Sequence, residues 1–297
     1  MKIKSTAIVD TFAEAFKMYG SRVIITAETK EWAMAAAQSI TGFATSVIGC
    51  KCEAGIETTI NADESPDLRP GVSVLIFAMD IESLGKRLME RIGQCVMTCP
   101  TTACYNGLPE GSPVIIGGQL RYFGDGHQIS KVLGKSKLWR IPVMDGEFLV
   151  EDKFNVQESV GGGNLLILGK DQKATLKAAS AATKAMRSLS DIILPFPNGV
   201  VRSGSKVGSK YKKLIASTND AYCPTLRGVV GNSELDDGIN SVLEIVIDGL
   251  TLEAVEQAMR VGAIAAAKPG IKKISAGNYG GGLGQYHIHL HKLGLEA

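Results

Sequence analysis

The chain has 297 residues and a formal net charge of +2, with 45% hydrophobic and 21% charged residues. This length predicts two domains of ordinary composition, each able to bury a core. Such a small net charge argues against a nucleic-acid-binding protein held by bulk electrostatics. No run reaches the roughly 18 apolar residues of a membrane-spanning helix, and the N-terminus lacks the apolar segment of a signal peptide. We therefore expect a cytoplasmic protein with no membrane partner, whose cysteines are reduced.

The first half of the chain predicts strand, helix, strand and loop, followed by the same unit again. A turn-rich loop at residues 61–71 separates the two units. The predicted strands are residues 22–26, 44–50, 72–78 and 94–99, and the predicted helices are residues 30–40 and 81–92.

The second half repeats this order, and Thr251 is placed to cap its last helix. Each half is thus β-α-β-β-α-β, the ferredoxin-like order. We expect an α+β fold of two lobes from internal duplication, residues 1–148 and 149–297. The predicted strands are residues 164–168, 191–195, 241–248 and 271–276, and the predicted helices are residues 172–189 and 252–267.

Residues 118–154 lie between the two repeats and contain alternating apolar and polar segments. Asp-Gly pairs at residues 125–126 and 145–146 are strong hairpin signals. We expect an added antiparallel β insertion here, included in the first lobe, with a role in scaffolding or subunit contact.

Residues 202–224, the basic segment, combine glycines and serines with five cations and have no acid before Asp220. Loops of this length in compact domains are either functional or disordered. Disorder and a solvated surface loop are the alternatives to an ordered clamp for a polyanionic small molecule, which we favour. The cations are Arg202, Lys206, Lys210, Lys212 and Lys213.

Glu244 is the strongest single candidate for chemistry. It lies within a predicted strand, on the same face as Val242 and Val246. If that face is buried, the pKa of the carboxyl is raised and it can act as a general acid and base near neutral pH. If that face is exposed to solvent, Glu244 is an ordinary surface residue. The alternation of apolar and polar residues does not distinguish a buried face from an exposed one.

Two C-terminal patterns resemble ligand sites without meeting their requirements. His287, His289 and His291 would share one strand face, but they span about 13 Å and could not converge on one metal unaided. The glycine run at residues 277–284 is followed by a predicted strand, whereas a nucleotide-binding loop precedes a helix. We expect no metal site, and a turn between strands whose backbone amides are open to a ligand.

Several longer motifs, spread over both halves, resemble one known family. They include DTFAEAF at residues 10–16, RIGQCVMT at 91–98, SKVGSK at 205–210, ASTNDAYCPT at 216–225 and EIVIDGL at 244–250. These segments are similar to the formylmethanofuran:tetrahydromethanopterin formyltransferases.

The resemblance implies reversible transfer of a formyl group from formylmethanofuran to N5 of tetrahydromethanopterin. It implies an archaeal homo-oligomer, a tetramer in this family, with no prosthetic group and no nucleic-acid partner. Methanofuran and tetrahydromethanopterin would act as co-substrates. It assigns the acid/base role to Glu244. The substrate-binding residues that it implies are Gln94, Arg202, Lys206, Ser209, Lys210, Ser217, Thr218, Asn219, Asp220 and Tyr222.

Two other functions remain open from the sequence. Duplicated ferredoxin-like domains also serve as small-molecule sensors, which would bind a ligand without transferring a group. The same fold also occurs as the formyltransferase subunit of a formyltransferase/hydrolase complex, which would need partner subunits.

Overall fold

The computed structural model describes residues 1–134 and 136–295. The chain forms two compact units: unit A, residues 18–159, and unit B, which combines residues 1–17 with the chain from residue 160 onward. The expected lobes are two continuous stretches of sequence that meet at residue 148. The compact units differ from them, because the first 17 residues pack with the second half of the chain. No helix within the described ranges is long and apolar enough to cross a membrane.

Helices and strands alternate along most of the chain. The helices are α1 (Lys30–Thr41), α2 (Val47–Cys50), α3 (Ile81–Arg91), α4 (Gly117–Leu120), α5 (Gln172–Met186) and α6 (Leu252–Ala266). The strands are β1 (Lys2–Ile3), β2 (Thr6–Ile8), β3 (Phe12–Thr26), β4 (Glu53–Ile60), β5 (Gly71–Ala78), β6 (Ala103–Asn106), β7 (Ser112–Ile115), β8 (Ile129–Leu133), β9 (Ser136–Val143), β10 (Gly146–Glu151), β11 (Lys153–Gly169), β12 (Ile192–Ile193), β13 (Lys206–Val207), β14 (Ala216–Ser217), β15 (Ser241–Gly249), β16 (Ile271–Ser275) and β17 (Tyr286–His289).

Unit A contains an antiparallel sheet in the order β6-β3-β5-β4. Numbered along the repeat, this is fourth, first, third, second, which is the ferredoxin-like arrangement. Helices α1 and α3 bury their apolar faces on β5, which is buried along its whole length. Strand β10 extends the sheet beside β6, and β9 and β8 follow it as an antiparallel meander. The predicted insertion is therefore confirmed, with one of its two predicted hairpins, whose turn at residues 144–145 lies one residue before the Asp-Gly pair. The hairpin predicted at residues 125–126 does not form, because these residues follow the 3₁₀ turn Arg121–Gly124 and not a strand.

Unit B repeats the arrangement with its sheet in the order β16-β11-β15-β12. Helices α5 and α6 pack on each other and on β15, with small side chains such as Ala178, Ala182 and Ala258 fully buried between them. Thr251 caps α6 as predicted, because its Oγ1 accepts a hydrogen bond from the backbone N–H of Ala254 at 3.1 Å. The predicted α+β fold of two ferredoxin-like lobes is confirmed.

Three local predictions were wrong. The predicted strand at residues 44–50 contains the short helix α2, capped by Ser46, and the strand begins at Glu53. The predicted strand at residues 94–99 continues α3 as the π-helical turn Ile92–Val96. The segment at residues 119–124 forms α4 and a following 3₁₀ turn, not a strand. Short apolar runs carry no periodicity that separates a helix from a strand. Helix α2 has no buried residue and begins at its Ser46 cap, whereas Ile92 and Val96 of the π-helical turn are buried.

Candidate active site

Glu244 lies near the centre of unit B. Strand β15 pairs it with Leu166 of β11 on one side, and on the other its backbone exchanges two hydrogen bonds with Val201, at 2.8 and 2.9 Å. Its side chain faces a small cavity shared with Val242 and Tyr222. The backbone is therefore held from both sides, and the carboxylate has a defined direction.

The surroundings of the Glu244 carboxyl are mostly apolar. The side chain is half-buried, and burial raises its pKa from 4.5 to about 7 because the charged form loses solvation. Across the described residues, no hydrogen bond or ion pair to this carboxylate offsets that loss. Of the two alternatives that the strand pattern left open, the structure favours the raised pKa, and both protonation states are populated near neutral pH.

A larger cavity of about 380 Å³ adjoins the Glu244 cavity within unit B. The two share Asn219 and Tyr222, both predicted from the sequence. Lys206 from the basic segment and Lys273 from β16 also line the larger cavity. A polyanionic molecule could thus be held by cations in one cavity while its reactive end reaches Glu244 in the other.

The basic segment is ordered around a small hairpin formed by β13 and β14. Lys206 forms an ion pair with Asp220 across it. The Lys206 hydrogen bond holds the pKa of Asp220 below its usual value, so this carboxylate stays ionised. Because the pKa of Asp220 is lowered while that of Glu244 is raised, Glu244 is the one of these two carboxyl groups that is suited to proton transfer near neutral pH.

The other predicted binding residues of this segment have different positions. Arg202 lines the Glu244 cavity, and Lys210 is exposed. Three hydroxyl groups shape the segment itself: the Ser209 hydroxyl accepts from the N–H of Tyr211, while Ser217 and Thr218 donate to the carbonyls of Gly208 and Ser203.

Gln94, the remaining predicted binding residue, belongs to unit A. It is exposed on the π-helical turn Ile92–Val96. Its role stays a prediction.

The sequence pattern missed one wall of the larger cavity. Lys273 and Ser275 come from β16, and Gly277, Asn278 and Tyr279 follow directly after it. The signal available was their position at the end of a predicted strand, next to a glycine run. The glycine run does link two strands, β16 and β17, as predicted.

The expectation that the amides of this run are open to a ligand was wrong. The N–H groups of Tyr279, Gly281, Leu283 and Gly284 donate to the buried carboxylate of Glu14, at 2.6, 2.9, 2.6 and 2.6 Å. Those four donors are therefore already used within the protein.

The three C-terminal histidines are not arranged alike. His287 and His289 lie on β17 and both contact the ring of Phe12, whereas His291 follows the end of the strand. His291 contacts the carbonyl of Ile8 and the carboxylate of Asp10 instead. The expected common face thus holds for two of the three. Within the described ranges, no group of three or more His, Cys, Asp or Glu side chains could hold a metal.

The fold and cavities define a class: a duplicated α+β protein with a half-buried carboxyl of near-neutral pKa beside a polar cavity that contains both lysines, Lys206 and Lys273, and carboxylates, Asp10 and Glu234. Comparison with known proteins then gives the family. The family described as formylmethanofuran-tetrahydromethanopterin formyltransferase matches residues 1–143, and its companion family described as the proximal lobe of the same protein matches residues 146–293. The chain belongs to the formylmethanofuran-tetrahydromethanopterin formyltransferase family.

Relatives match the chain over nearly its full length. A formylmethanofuran--tetrahydromethanopterin formyltransferase from Methylobacillus flagellatus is 58% identical over 99% of both chains. The structure of the formyltransferase from Methanosarcina barkeri superposes with a TM-score of 0.94 at 47% identity, covering 99% of this chain and 100% of that one. A chain of the formyltransferase/hydrolase complex from Methylorubrum extorquens, solved with methylofuran, gives a TM-score of 0.97 at 49% identity, covering 100% and 99%. Bacterial relatives occur, so the family does not support the archaeal source that the resemblance implied.

Proposed function

We propose that this protein transfers a formyl group reversibly from formylmethanofuran to N5 of tetrahydromethanopterin. The support is that both halves of the chain match the family and that a relative carrying this name is 58% identical along the whole chain. The observation that carries the mechanism is the Glu244 carboxyl, whose burial raises its pKa to about 7 at the edge of a lysine-lined cavity.

In the proposed mechanism, the N5 lone pair attacks the formyl carbon and the carbonyl π electrons move to oxygen, giving a tetrahedral oxyanion. Ionised Glu244 takes the proton that N5 loses. The oxyanion then collapses, the bond from carbon to the methanofuran nitrogen breaks, and Glu244 returns the proton to the departing amine. Because Glu244 both accepts and donates this proton, the same group serves the forward and the reverse reaction. Both carriers act as co-substrates in this mechanism, and it uses no prosthetic group.

We propose that the cations of the larger cavity hold acidic groups of a carrier. Lys206 and Lys273 line that cavity, and Arg202 lines the Glu244 cavity. Asp220 is not free to act as a base, because Lys206 pairs with it; its role is to orient the lysine. Asn219 and Tyr222 belong to both cavities, and we assign them to contacts with the part of the carrier that joins its acidic groups to the reacting centre.

We propose that the chain works as a homo-oligomer, and as a tetramer in particular. The alternative is a subunit of a larger assembly, since one structurally similar chain belongs to a formyltransferase/hydrolase complex. Transfer by the purified chain alone, with its mass measured by light scattering, separates these alternatives. Transfer that appears only after other subunits are added supports the complex.

The decisive assay mixes the purified chain with formylmethanofuran and tetrahydromethanopterin and follows the formylated pterin by its absorbance. Glu244→Gln keeps the shape of the side chain but cannot carry the proton, so we expect kcat to fall by about 10²- to 10⁴-fold with little change in KM. A variant that keeps most of its kcat refutes the acid/base role. A wild-type chain that binds a carrier without transfer refutes the enzyme and favours a sensor.

A further inference from the structure

The carboxylate of Glu14 lies inside unit B, and among the residues that the structure describes its hydrogen-bond partners are backbone N–H groups and not cations. The side chain is 1% exposed on β3, opposite His287 of β17. Burial alone would favour the neutral acid, but the four backbone N–H donors outweigh it and hold the pKa at about 2. Glu14 therefore stays ionised throughout the working range of pH.

The four donors come from the glycine-rich loop at residues 277–284, which wraps around the carboxylate. Tyr279 and Gly281 donate to Oε2, while Leu283 and Gly284 donate to Oε1. Gly280 and Gly281 both have φ of 76°, a conformation that favours glycine; the N–H groups of Tyr279 and Gly281 on either side of Gly280 reach the same oxygen, while that of Gly280 donates to Asn278. Gly284 packs so closely that a Cβ there would lie 2.5 Å from the carbonyl oxygen of Ala15. Such a concave run of amides is an anion-binding nest, and here a side chain of the same unit occupies it.

Each end of this loop is held by its own side-chain hydrogen bonds. At its start, the Asn164 side chain accepts from the N–H of Gly277 at 2.6 Å and donates to its carbonyl at 3.1 Å. At its end, the side chain of Gln285 accepts from the N–H of Lys17 at 2.8 Å. Between these ties, Glu14 supplies the bonds that order the middle of the loop.

The same loop forms part of the larger cavity. Gly277, Asn278 and Tyr279 line it together with Lys206 and Tyr222. The amide of Tyr279 is one of the four that bind Glu14, so the carboxylate sets the position of a cavity-lining residue directly. The cations of this cavity come from β16 and from the basic segment, and not from the loop.

We propose that Glu14 is a positioning residue: its carboxylate is the internal anion around which residues 277–284 fold, and it thereby holds Asn278 and Tyr279 in the wall of the carrier-binding cavity. The proposal rests on the proposed function for the identity of the carrier. The part of the proposal that concerns the order of the loop rests on the Glu14 contacts and not on the proposed function.

The first test compares Glu14→Gln with the wild-type protein. A neutral amide cannot accept four N–H bonds as a carboxylate does, because one of its two polar atoms is a donor. We expect amide hydrogen exchange in residues 277–285 to quicken towards that of an unstructured segment while the helices stay protected. KM for one carrier should rise by about 10- to 100-fold through the misplaced wall, and kcat should change by less than about threefold because Glu244 is intact.

Glu53→Gln is the matched control. Glu53 is a buried carboxylate of unit A that accepts the N–H of Val47 at 3.0 Å. We expect this variant to lose stability without faster exchange in residues 277–285 and without the rise in KM. An equal rise in KM in both variants would overturn the proposal, since it would then reflect general loss of stability.

Glu14→Ala offers a rescue experiment. Truncation leaves the four N–H groups facing a space into which acetate can enter, so added acetate should restore exchange protection and lower KM, while chloride at equal ionic strength should not. Acetate should have no such effect on Glu14→Gln, whose side chain still fills the nest. The proposal would be overturned if both Glu14 variants kept the wild-type KM and the wild-type hydrogen-exchange protection of residues 277–285. It would also be overturned if these residues lost protection while KM stayed unchanged.

If neither Glu14 variant folds, Tyr279→Ala decides the question, because Tyr279 is partly exposed on the cavity wall. An unchanged KM in that variant would overturn the proposal, and a raised KM with normal kcat would support it. A wild-type chain with no formyl transfer would refute the proposed function, while the exchange measurements would still show whether Glu14 orders the loop.

Discussion

Replacing Glu244 by Gln should change how the stability of the protein depends on pH. The pKa of the native carboxyl is about 7, compared with 4.5 for the unperturbed group. Between these values the native state keeps a proton that the unfolded state releases, so wild-type stability falls as pH rises. The stabilising contribution is complete below pH 4.5 and lost above pH 7. Gln does not titrate and has no such dependence.

The magnitude follows from the shift. The difference of 7 − 4.5 is 2.5 pKa units, and each unit corresponds to about 1.36 kcal/mol, so the upper bound is about 3.4 kcal/mol. Glu244 is half-buried, and its remaining contact with water reduces this figure. We therefore expect the difference in free energy of unfolding, Glu244→Gln minus wild type, to increase by about 2 kcal/mol as the pH rises from 4.5 to 7.5.

Urea unfolding followed by circular dichroism at half-unit steps of pH measures this difference. Protein concentration is held constant, because association would otherwise contribute to stability. Asp220→Asn serves as a control of opposite sign. The pKa of Asp220 is lowered by Lys206, so its contribution is present at neutral pH and is lost in acid as the carboxylate takes up a proton.

Parallel stability curves for Glu244→Gln and the wild type from pH 5 to pH 8 would refute the reasoning. They would show that the carboxyl is solvated well enough to titrate normally. The proposed proton transfer near neutral pH would then lose its physical basis.

Two further predictions concern the basic segment and a helix cap. Lys206→Ala and Lys210→Ala should raise KM for a carrier, more strongly at low salt because exposed charges are screened beyond about 8 Å at physiological ionic strength. The effect should be larger for Lys206, which lines the cavity; unchanged KM in both variants at low salt would make the segment an ordinary surface loop. Thr251→Ala should lower the free energy of unfolding by about 1 kcal/mol, because the N–H of Ala254 loses its partner. An unchanged urea midpoint would show that water replaces the cap.

The repeated order of elements could be read from the sequence because it depends on local properties. Hydrophobic runs of strand length, helical periodicity and the capping threonine at Thr251 act over a few residues. The Asp-Gly pair at residues 145–146 gave the β9–β10 turn for the same reason. The strand alternation around Glu244 placed a carboxyl on one face with two valines, but only the structure showed that this carboxyl is desolvated and its pKa raised.

Where a local pattern allowed two structures, tertiary packing chose between them. Residues 92–96 continue α3 because Ile92 and Val96, four residues apart, both enter the core of unit A, while Gln94 between them is exposed. Residues 47–50 form a short helix that is capped by Ser46, and the strand β4 begins only at Glu53. Nothing within either segment distinguishes these outcomes.

The environment of Glu14 depended on tertiary structure entirely. In the sequence it is one acid in an ordinary strand, and its hydrogen-bond donors lie 265 to 270 residues further along the chain. Sequence patterns report neighbours within one element, whereas the protonation and role of a buried carboxylate depend on which backbone groups the fold brings to it. The sequence alone determined that a glycine-rich turn links two strands, and the fold determined that its amides enclose Glu14 and are no longer available to a ligand.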